Sequence, residues 1–410
     1  MKKKNIPSVT TIVLRAVVFT VFICGLGLSF GQQLTGPYLG QTPPGNTPQM
    51  FVPNQLRSNA DWWWHGALAF TQDGNEFYMD IYVPANYQGI RIRYMEMVDN
   101  VWTDPQTPSF AEGFMTASPS FTDNGNTVYF ISDRPGGPIW TSTRTQTSWS
   151  TPTVVHFPWP ANLGGGWEVS ATNDGTLYLR MEVIGSQDPD IYCIRCVNGV
   201  YSEPERLDDT INSSSMELGP YIDPDEEYLI FESYRPGGYG GSDLYISFKK
   251  ADGSWTPALN MGEPVNSSAG EGAPSVSPDG LYLFFISDRH QQWDGNPYWV
   301  STQVIEDLRI ASDVPKLPIP VPERITLYQN YPNPFNPTTT IEFALQKASQ
   351  VNLSIYNLLG KKVATLISEK KSPGMYEVEW NASGFASGVY LFRLQTDKGF
   401  LQTKKLILLK

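Results

Sequence analysis

The sequence predicts an all-β protein in which a five-bladed β-propeller is followed by a small Ig-like β-sandwich. Two observations predict the propeller. A hairpin-like stretch, Ser277–Arg289, recurs in weaker form with its turn at positions 74, 125, 175, 226 and 280. A period of about fifty residues with internal turn signals is typical of four-stranded propeller blades rather than of helical solenoids. A third observation, short alternating strands beyond residue 324, predicts the sandwich.

The N-terminal segment has the three parts of a secretory signal peptide. Met1–Lys4 is basic, Val17–Leu28 is almost entirely apolar, and small residues precede a cleavage site before Gln32. The apolar run is short for a membrane span, so we expect residues 1–31 to be removed after Sec-dependent export. A lipid anchor on Cys24 is the weaker alternative, because Ile23 stands where a lipobox has a small residue.

Composition and charge exclude several classes of function. The formal net charge is −12, and no basic cluster is present that could neutralise phosphates, so we expect no nucleic-acid partner.

Cys193 and Cys196 form a lone C-x-x-C on a predicted strand, where their side chains point to opposite faces. We therefore expect buried, inert thiols rather than a disulfide or metal site, and no cofactor. We also expect a monomer.

Each predicted blade has its own internal order. In the last copy, Pro278-Asp279-Gly280 supplies the turn between two strands, and the strand Tyr282–Ile286 is apolar on both faces. An outer strand follows in the first four blades, with an aromatic residue shortly before a proline, which an edge strand tolerates. The fifth blade lacks this strand. We expect the segment near residues 50–57 to supply it, so that residues 32–305 form a closed ring.

The repeats resemble the PD40, WD40-like repeats related to the TolB propeller, over roughly residues 45 to 305. The resemblance is clearest where Ser132-Asp133-Arg134 and Ser287-Asp288-Arg289 stand intact. It implies the fold and little more, because such propellers serve as binding platforms, as parts of envelope complexes and as gates on peptidases.

A Pro-rich spacer, residues 306–323, separates the propeller from a C-terminal domain at residues 324–410. That domain resembles the C-terminal sorting domain of type IX secretion cargo, which implies passage through the outer membrane of a bacterium of the Bacteroidetes and Chlorobi group. The type IX machinery is then a partner, and the domain is often removed on arrival. An Ig-like spacer without sorting activity is the alternative. The residues that carry the resemblance include Asn333, Pro334, Phe335, Asn336, Pro337, Gly388, Tyr390, Lys405 and Lys410, although Lys405-Leu406-Ile407 departs slightly from the usual tail.

Candidate site residues gather where the chain enters the first strand of each blade, on the face opposite the Pro-Asp-Gly turns. Aromatic faces with a few carboxylates suit a sugar or peptide ligand. The predicted ligand-binding residues are Trp62, Trp63, Trp64, His65, Trp167, Glu168, Glu217 and Glu271. Repeated polar positions more often hold blades together, and we assign that structural role to Asp133, Arg134, Arg235, Asp288 and Arg289.

Two functions follow from this set. The first is a secreted or surface-displayed propeller that binds a glycan, peptide or protein, or serves as a scaffold, and has no catalytic residues. The second is a glycoside-active enzyme in which Glu217 and Glu271, on adjacent blades, act as a carboxylate pair. Their repeat-equivalent positions favour the first, and no Ser-His-Asp set, HExxH helix or phosphate loop is present.

Overall fold

The computed structural model describes residues 34–51, 56, 63–83, 89–122, 125–146, 148–290, 295–312, 324–371 and 374–409. The predicted signal peptide, Trp62, most of the Pro-rich spacer and Lys410 lie outside these ranges. Within them, no helix has the length and apolarity needed to cross a membrane.

Five four-stranded antiparallel sheets form the propeller predicted from the repeats. Neighbouring inner strands are in contact all round, including those of the fifth and first blades. From the inner strand outward, the first blade consists of β2 (Trp63–Phe70), β3 (Glu76–Val83), β4 (Gly89–Val98) and β5 (Val101–Trp102), and the second of β6 (Thr116–Thr122), β7 (Thr127–Ser132), β8 (Ile139–Thr143) and β9 (Thr153–Val154). The third blade consists of β10 (Leu163–Ala171), β11 (Leu177–Val183), β12 (Asp190–Ile194) and β15 (Glu205–Arg206). The fourth consists of β16 (Glu217–Ile222), β17 (Tyr228–Ser233), β18 (Asp243–Phe248) and β19 (Leu259–Asn260). A two-stranded ribbon, β13 (Cys196–Val197) and β14 (Val200–Tyr201), extends from the third sheet.

The fifth blade combines both ends of the propeller segment. Its strands are β20 (Glu271–Val276), β21 (Tyr282–Ser287), β22 (Asn296–Ser301) and, outermost, β1 (Gln49–Met50). The outer strand is therefore supplied from the N-terminal side, but it lies at the start of the predicted segment. Phe51 ends the pairing by donating its amide to the carbonyl of Pro297, 2.8 Å away.

The blades form from hairpins whose turns follow the expected chemistry. In the fifth blade the Gly280 amide donates to Ser277 O (2.8 Å), and Oδ1 of Asp279 accepts the Leu281 amide (3.1 Å). Glu226 takes the glycine's place in the fourth blade, with φ of 58°. The middle strands are buried on both faces, as their apolar sequences predict, and the propeller core lies between the blades.

A short helix, α1 (Gln303–Ala311), follows the fifth blade, where the sequence predicted the beginning of an extended spacer. Ile305 and Arg309 are buried against the fourth and fifth blades. The Arg309 guanidinium lies 4.7 Å from the Phe248 ring centre and 3.1 Å from Oε2 of Glu227. Packing against the blades thus keeps this segment helical.

The C-terminal domain is a β-sandwich with its own core. One sheet contains β23 (Thr326–Leu327), β24 (Thr338–Leu345) and β27 (Gly374–Asn381); the other contains β26 (Lys362–Lys371), β25 (Ser349–Asn357), β28 (Gly388–Thr396) and β29 (Leu401–Leu408). Sixteen buried residues between Leu327 and Leu408 form the core between these sheets.

Candidate functional site

Every inner strand carries a β-bulge at the same level of the central channel. The register with the second strand shifts there in all five blades. Four of the bulges place a residue in the left-handed region: Ser118, Glu168, Gly219 and Ala273. Bulges re-aim backbone groups, and here two freed amides meet carboxylates, Ser118 N on Oδ2 of Asp80 (2.7 Å) and Gly219 N on Oε2 of Glu168 (2.8 Å).

A belt of charged side chains lies beside these bulges. At one register position of the second strand, two blades have isoleucine, whereas the others have Asp80, Arg180 and Glu232. Burial, together with a smaller effect of the nearby charge of Glu168, raises the pKa of Asp80 to about 8 and that of Glu232 to about 7. Arg180 lies 3.8 Å from Oε1 of Glu168. Oδ1 of Asp80 and Nε of Arg180 are buried without a hydrogen-bond partner.

The channel opens into a cleft of about 980 Å³ on the face opposite the hairpin turns, which we call the cleft face. Its walls come mainly from the fourth and fifth blades, and His65 of the first blade reaches them. Partial desolvation lowers the pKa of His65. The polar lining residues include His65, Glu232, Tyr234, Asp288, Arg289 and His290. The cleft therefore offers both hydrogen-bond donors and acceptors to a ligand.

Most of the exposed aromatic residues lie on the cleft face. Among the described residues, five aromatic side chains are 37–51% exposed: Phe114, Trp159, Trp167, Tyr234 and Tyr239. Four of them lie in loops that enter a first strand or leave a second strand, whereas Trp167 lies within strand β10, and Tyr234 also lines the cleft. Scattered exposed apolar residues need no explanation, but a group of exposed aromatic residues in the loops of one face points to a contact surface.

The predicted carboxylate pair does not face this cleft, which corrects the expectation that Glu217 and Glu271 contact a ligand. Both are at most 1% exposed. Oε1 of Glu217 accepts hydrogen bonds from Ser213 (2.6 Å), Ser233 (2.8 Å) and Arg235 (3.1 Å). Glu271 has the repeat-equivalent partners. A buried carboxylate with these bonds has no accessible oxygen with which to attack or protonate a substrate.

The Asp and Arg residues of the repeat motif bond to the loop before their own blade. Arg235 donates to Ile211 O (2.5 Å) and Arg134 to Phe110 O (2.6 Å), while Arg289 bonds Val265 O. Asp133 and Asp288 accept the amides of residues 115 and 270, at 2.8 and 2.6 Å. These bonds join each loop to its own blade, and Asp288 and Arg289 also line the cleft. That the five residues hold the blades together stays a prediction.

The predicted ligand-binding tryptophans, Trp62, Trp63, Trp64 and Trp167, differ in their surroundings. Trp62 is outside the described residues, and Trp63 begins strand β2. Trp64 is only 8% exposed and packs in the core with Phe51 and Phe77, which corrects the expectation that it contacts a ligand. Trp167 is 40% exposed.

Cys193 and Cys196 are both free thiols. Cys193 is buried, and burial raises the pKa of its thiol to about 11; Cys196 is only half-buried, contrary to expectation. No group of three or more His, Cys, Asp or Glu side chains with metal-binding geometry occurs among the described residues.

The sorting-motif residues hold the two ends of the sandwich together. Asn333 Oδ1 accepts the Ile407 amide (2.8 Å), and the Phe335 backbone bonds Ile407 O and Leu409 N (both 2.9 Å). Phe335 is buried 5.5 Å from Trp380. Of the other motif residues, Pro337 O accepts the Ala382 amide, Tyr390 donates to Ala386 O, Lys405 O accepts from Gln329, Gly388 begins β28, and Pro334 and Asn336 flank Phe335.

Comparison with known proteins identifies the C-terminal domain. Residues 329–409 match the family described as "Secretion system C-terminal sorting domain". The chain therefore carries a sorting tail of type IX secretion, which indicates export to the outer surface or the medium. No curated protein sequence matches the chain.

Solved structures with a similar fold include several propellers. TolB from Acinetobacter baumannii is 16% identical, with a TM-score of 0.33, over 57% of this chain and 53% of that one. PorZ, a surface component of the type IX secretion system of Porphyromonas gingivalis, is 14% identical (0.31; 84% and 51%). An endo-arabinase from Bacteroides thetaiotaomicron is 15% identical (0.38; 64% and 97%). The chain spans about half the length of TolB and PorZ. Likenesses at this level of identity carry no information about the activity of this chain.

Proposed function

We propose that this exported chain, with its type IX sorting tail, is a non-catalytic propeller that binds a glycan on its cleft face. The observation that carries the proposal is that four of the five exposed aromatic residues lie in loops of that face, and that one of them, Tyr234, lines a cleft with polar walls. Aromatic faces provide apolar contact to the C–H faces of sugars, and a few polar groups fix their orientation.

The charges around the cleft suit recognition better than chemistry. Asp288 in its wall already accepts the amide of Gly270, 2.6 Å away in the loop before the fifth blade, and Arg289 donates to the carbonyl of Val265 in the same loop. Such residues are pre-oriented, so that little side-chain entropy is lost on binding.

The test is a binding screen of the full chain against cell-wall and capsular oligosaccharides, followed by calorimetry on each hit. We expect Tyr234→Ala, which removes the exposed aromatic side chain from the cleft wall, to weaken binding about tenfold or more, as loss of a central aromatic contact does. The matched control is Leu281→Ala, which removes an exposed apolar side chain from the opposite face. Equal affinities in the two variants, or no hit in the panel, would remove the support for a glycan site.

Glycoside hydrolysis is a second candidate, now with different residues from those expected. Glu232 lies in the cleft wall with its pKa raised to about 7 by burial, so part of the population holds a proton that could be donated at neutral pH. Glu168, beside Arg180, is the other carboxylate nearby. Product analysis of every bound glycan separates the candidates: turnover that disappears in Glu232→Gln supports the enzyme.

A further inference from the structure

The other mouth of the channel, on the face formed by the hairpin turns, is covered by the sorting domain. A cavity of about 590 Å³ lies there, lined by all five inner strands and by residues of the sorting domain. The sorting domain contributes Arg324, Thr326, Tyr328, Glu342 and Met375. This turn-side cavity is therefore shared between two domains, each with its own core.

Tyr331 of the sorting domain packs closely against the propeller segment. Its ring lies so close to the turn of the first blade that a methyl group on Gly74 would be 1.7 Å from Cε2. Tyr38 of the N-terminal segment meets the same ring edge-on, with centroids 6.4 Å apart. Gly74 also has φ of 65°, and its amide bonds Thr71 O, so the turn itself holds the glycine in place. Only a residue without a Cβ leaves room for the tyrosine.

Each side of the contact is also held in position by other contacts. Tyr331 exchanges two backbone hydrogen bonds with Thr340 (2.8 and 2.7 Å) inside the sorting domain. Tyr38 donates to Oδ2 of Asp279 (2.6 Å) and packs edge-on against Phe70 and Tyr282 on the propeller. Tyr38 adopts the left-handed region, which is unfavourable for a tyrosine and persists only where the surroundings hold it. Gly74 and Tyr38 thus form a notch that holds the Tyr331 ring.

The propeller and the sorting domain both contribute carboxylates to this cavity, so their charges are poorly complementary. The propeller side carries Asp223 and Asp225, and Arg324 is the only basic residue among those that line the cavity. Glu342 faces inward as well, opposite Glu377 on the neighbouring strand and near Asp279. Like charges at one interface weaken it. A segment with the same tyrosine but more positive charge would fit this cavity better.

We propose that the turn-side mouth of the channel is a second binding site, specific for a tyrosine-bearing, basic peptide segment, which the sorting domain occupies as a displaceable cap. The site is independent of the glycan site on the cleft face. A tethered cap needs little intrinsic affinity, because a short linker gives an effective concentration in the millimolar range. Cutting the spacer removes that advantage and makes the site available.

The experiment uses the full chain with a protease recognition sequence in the spacer at residues 313–323. The probe is a labelled synthetic peptide with the sequence of residues 324–332, which contains one arginine and two tyrosines, followed by fluorescence anisotropy. We expect no binding before cleavage and saturable binding after it. A second peptide with two added lysines should bind more tightly and more salt-sensitively.

Gly74→Ala, which places a methyl group in the tyrosine position, should reduce peptide binding to the cut chain at least about tenfold. Its control is Gly280→Ala, at the equivalent turn of the fifth blade, with φ of 72° and no neighbour within 4 Å of the added methyl group. Tyr331→Ala in the uncut chain should open the site without cleavage. The proposal is overturned if the cut chain binds no peptide, if excess peptide fails to displace a cap that remains bound, or if the two glycine variants behave alike.

Discussion

Replacing Asp80 with asparagine should abolish a pH dependence of stability that originates in the channel wall. Asp80 is 1% exposed, with one oxygen bonded to the Ser118 amide and the other without a partner. Asparagine keeps the shape and the acceptor for Ser118 but cannot ionise. The substitution therefore separates the effect of the charge from that of the packing.

The sign and size follow from the shifted pKa. The pKa of this carboxyl is 3.8 in the reference state and about 8 in the folded chain, chiefly because burial disfavours its ionised form. Between these values the folded chain holds one more proton than the unfolded chain, so the free energy of unfolding falls by about 1.4 kcal/mol per pH unit as pH rises. The contribution of this carboxyl to the free energy of unfolding is fully present below its unfolded pKa of 3.8. It has been lost once the pH reaches its folded pKa of about 8. At neutral pH the loss amounts to at most about 4 kcal/mol.

The assay is urea unfolding of both chains at several values between about pH 5 and about pH 8.5, followed by tryptophan fluorescence. Of the twelve tryptophans, only Trp380 lies in the sorting domain, so the signal reports mainly on the propeller. The other buried carboxylates contribute equally to both proteins, and the difference between the two profiles isolates Asp80. We expect the asparagine variant to gain stability relative to the parent as pH rises.

Asp209→Asn makes the same chemical change at a carboxylate whose side chain is 93% exposed, and its profile should follow that of the parent. If the Asp80 variant also gives a profile parallel to that of the parent, Asp80 ionises in the folded chain as easily as in water. The reasoning from its burial would then be refuted.

Three further outcomes can be measured on the same preparations. Arg235→Ala leaves the buried carboxylate of Glu217 without its cation and should destabilise the propeller by about 3–5 kcal/mol in urea unfolding. Arg309→Met, which keeps the stem on Phe248 but leaves Glu227 without this partner, should lose less than Arg309→Ala in the same assay. Trp167→Ala should leave the thermal midpoint within about two degrees of the parent, because that ring is 40% exposed.

Much of the fold can be predicted from the sequence, because the repeat consists of residues whose backbone preferences are known. The Pro-Asp-Gly turns recur and the strands between them are apolar, so the blade number and the inner strands follow directly. The short alternating strands beyond residue 324 likewise predict the sandwich that the structure shows. Helix α1 was missed, although Val304, Ile305 and Leu308 recur at helical spacing.

The candidate site was predicted less well, because burial decides the role of a carboxylate and the sequence does not show it. The sequence predicts Glu217 and Glu271 as ligand contacts, but serines and arginines from the same repeat enclose them. The signal that could have identified Asp80 and Glu232 was their replacement of isoleucine at one repeat position. The covering of the turn face by the sorting domain depends on contacts between distant segments, which no local pattern encodes.

The composite fifth blade also sets an order for folding. The pairing of Gln49–Met50 with Tyr298–Trp299 joins segments about 250 residues apart, so its loop-closure entropy is recovered only after the blades between them have formed. During synthesis from the N-terminus, four blades can assemble as an open array while the β1 segment remains unpaired. The ring is completed only once β22 has been made, and the sorting domain is synthesised after that. Any machinery that reads the tail therefore encounters a chain whose ring-closing strands have both already been made.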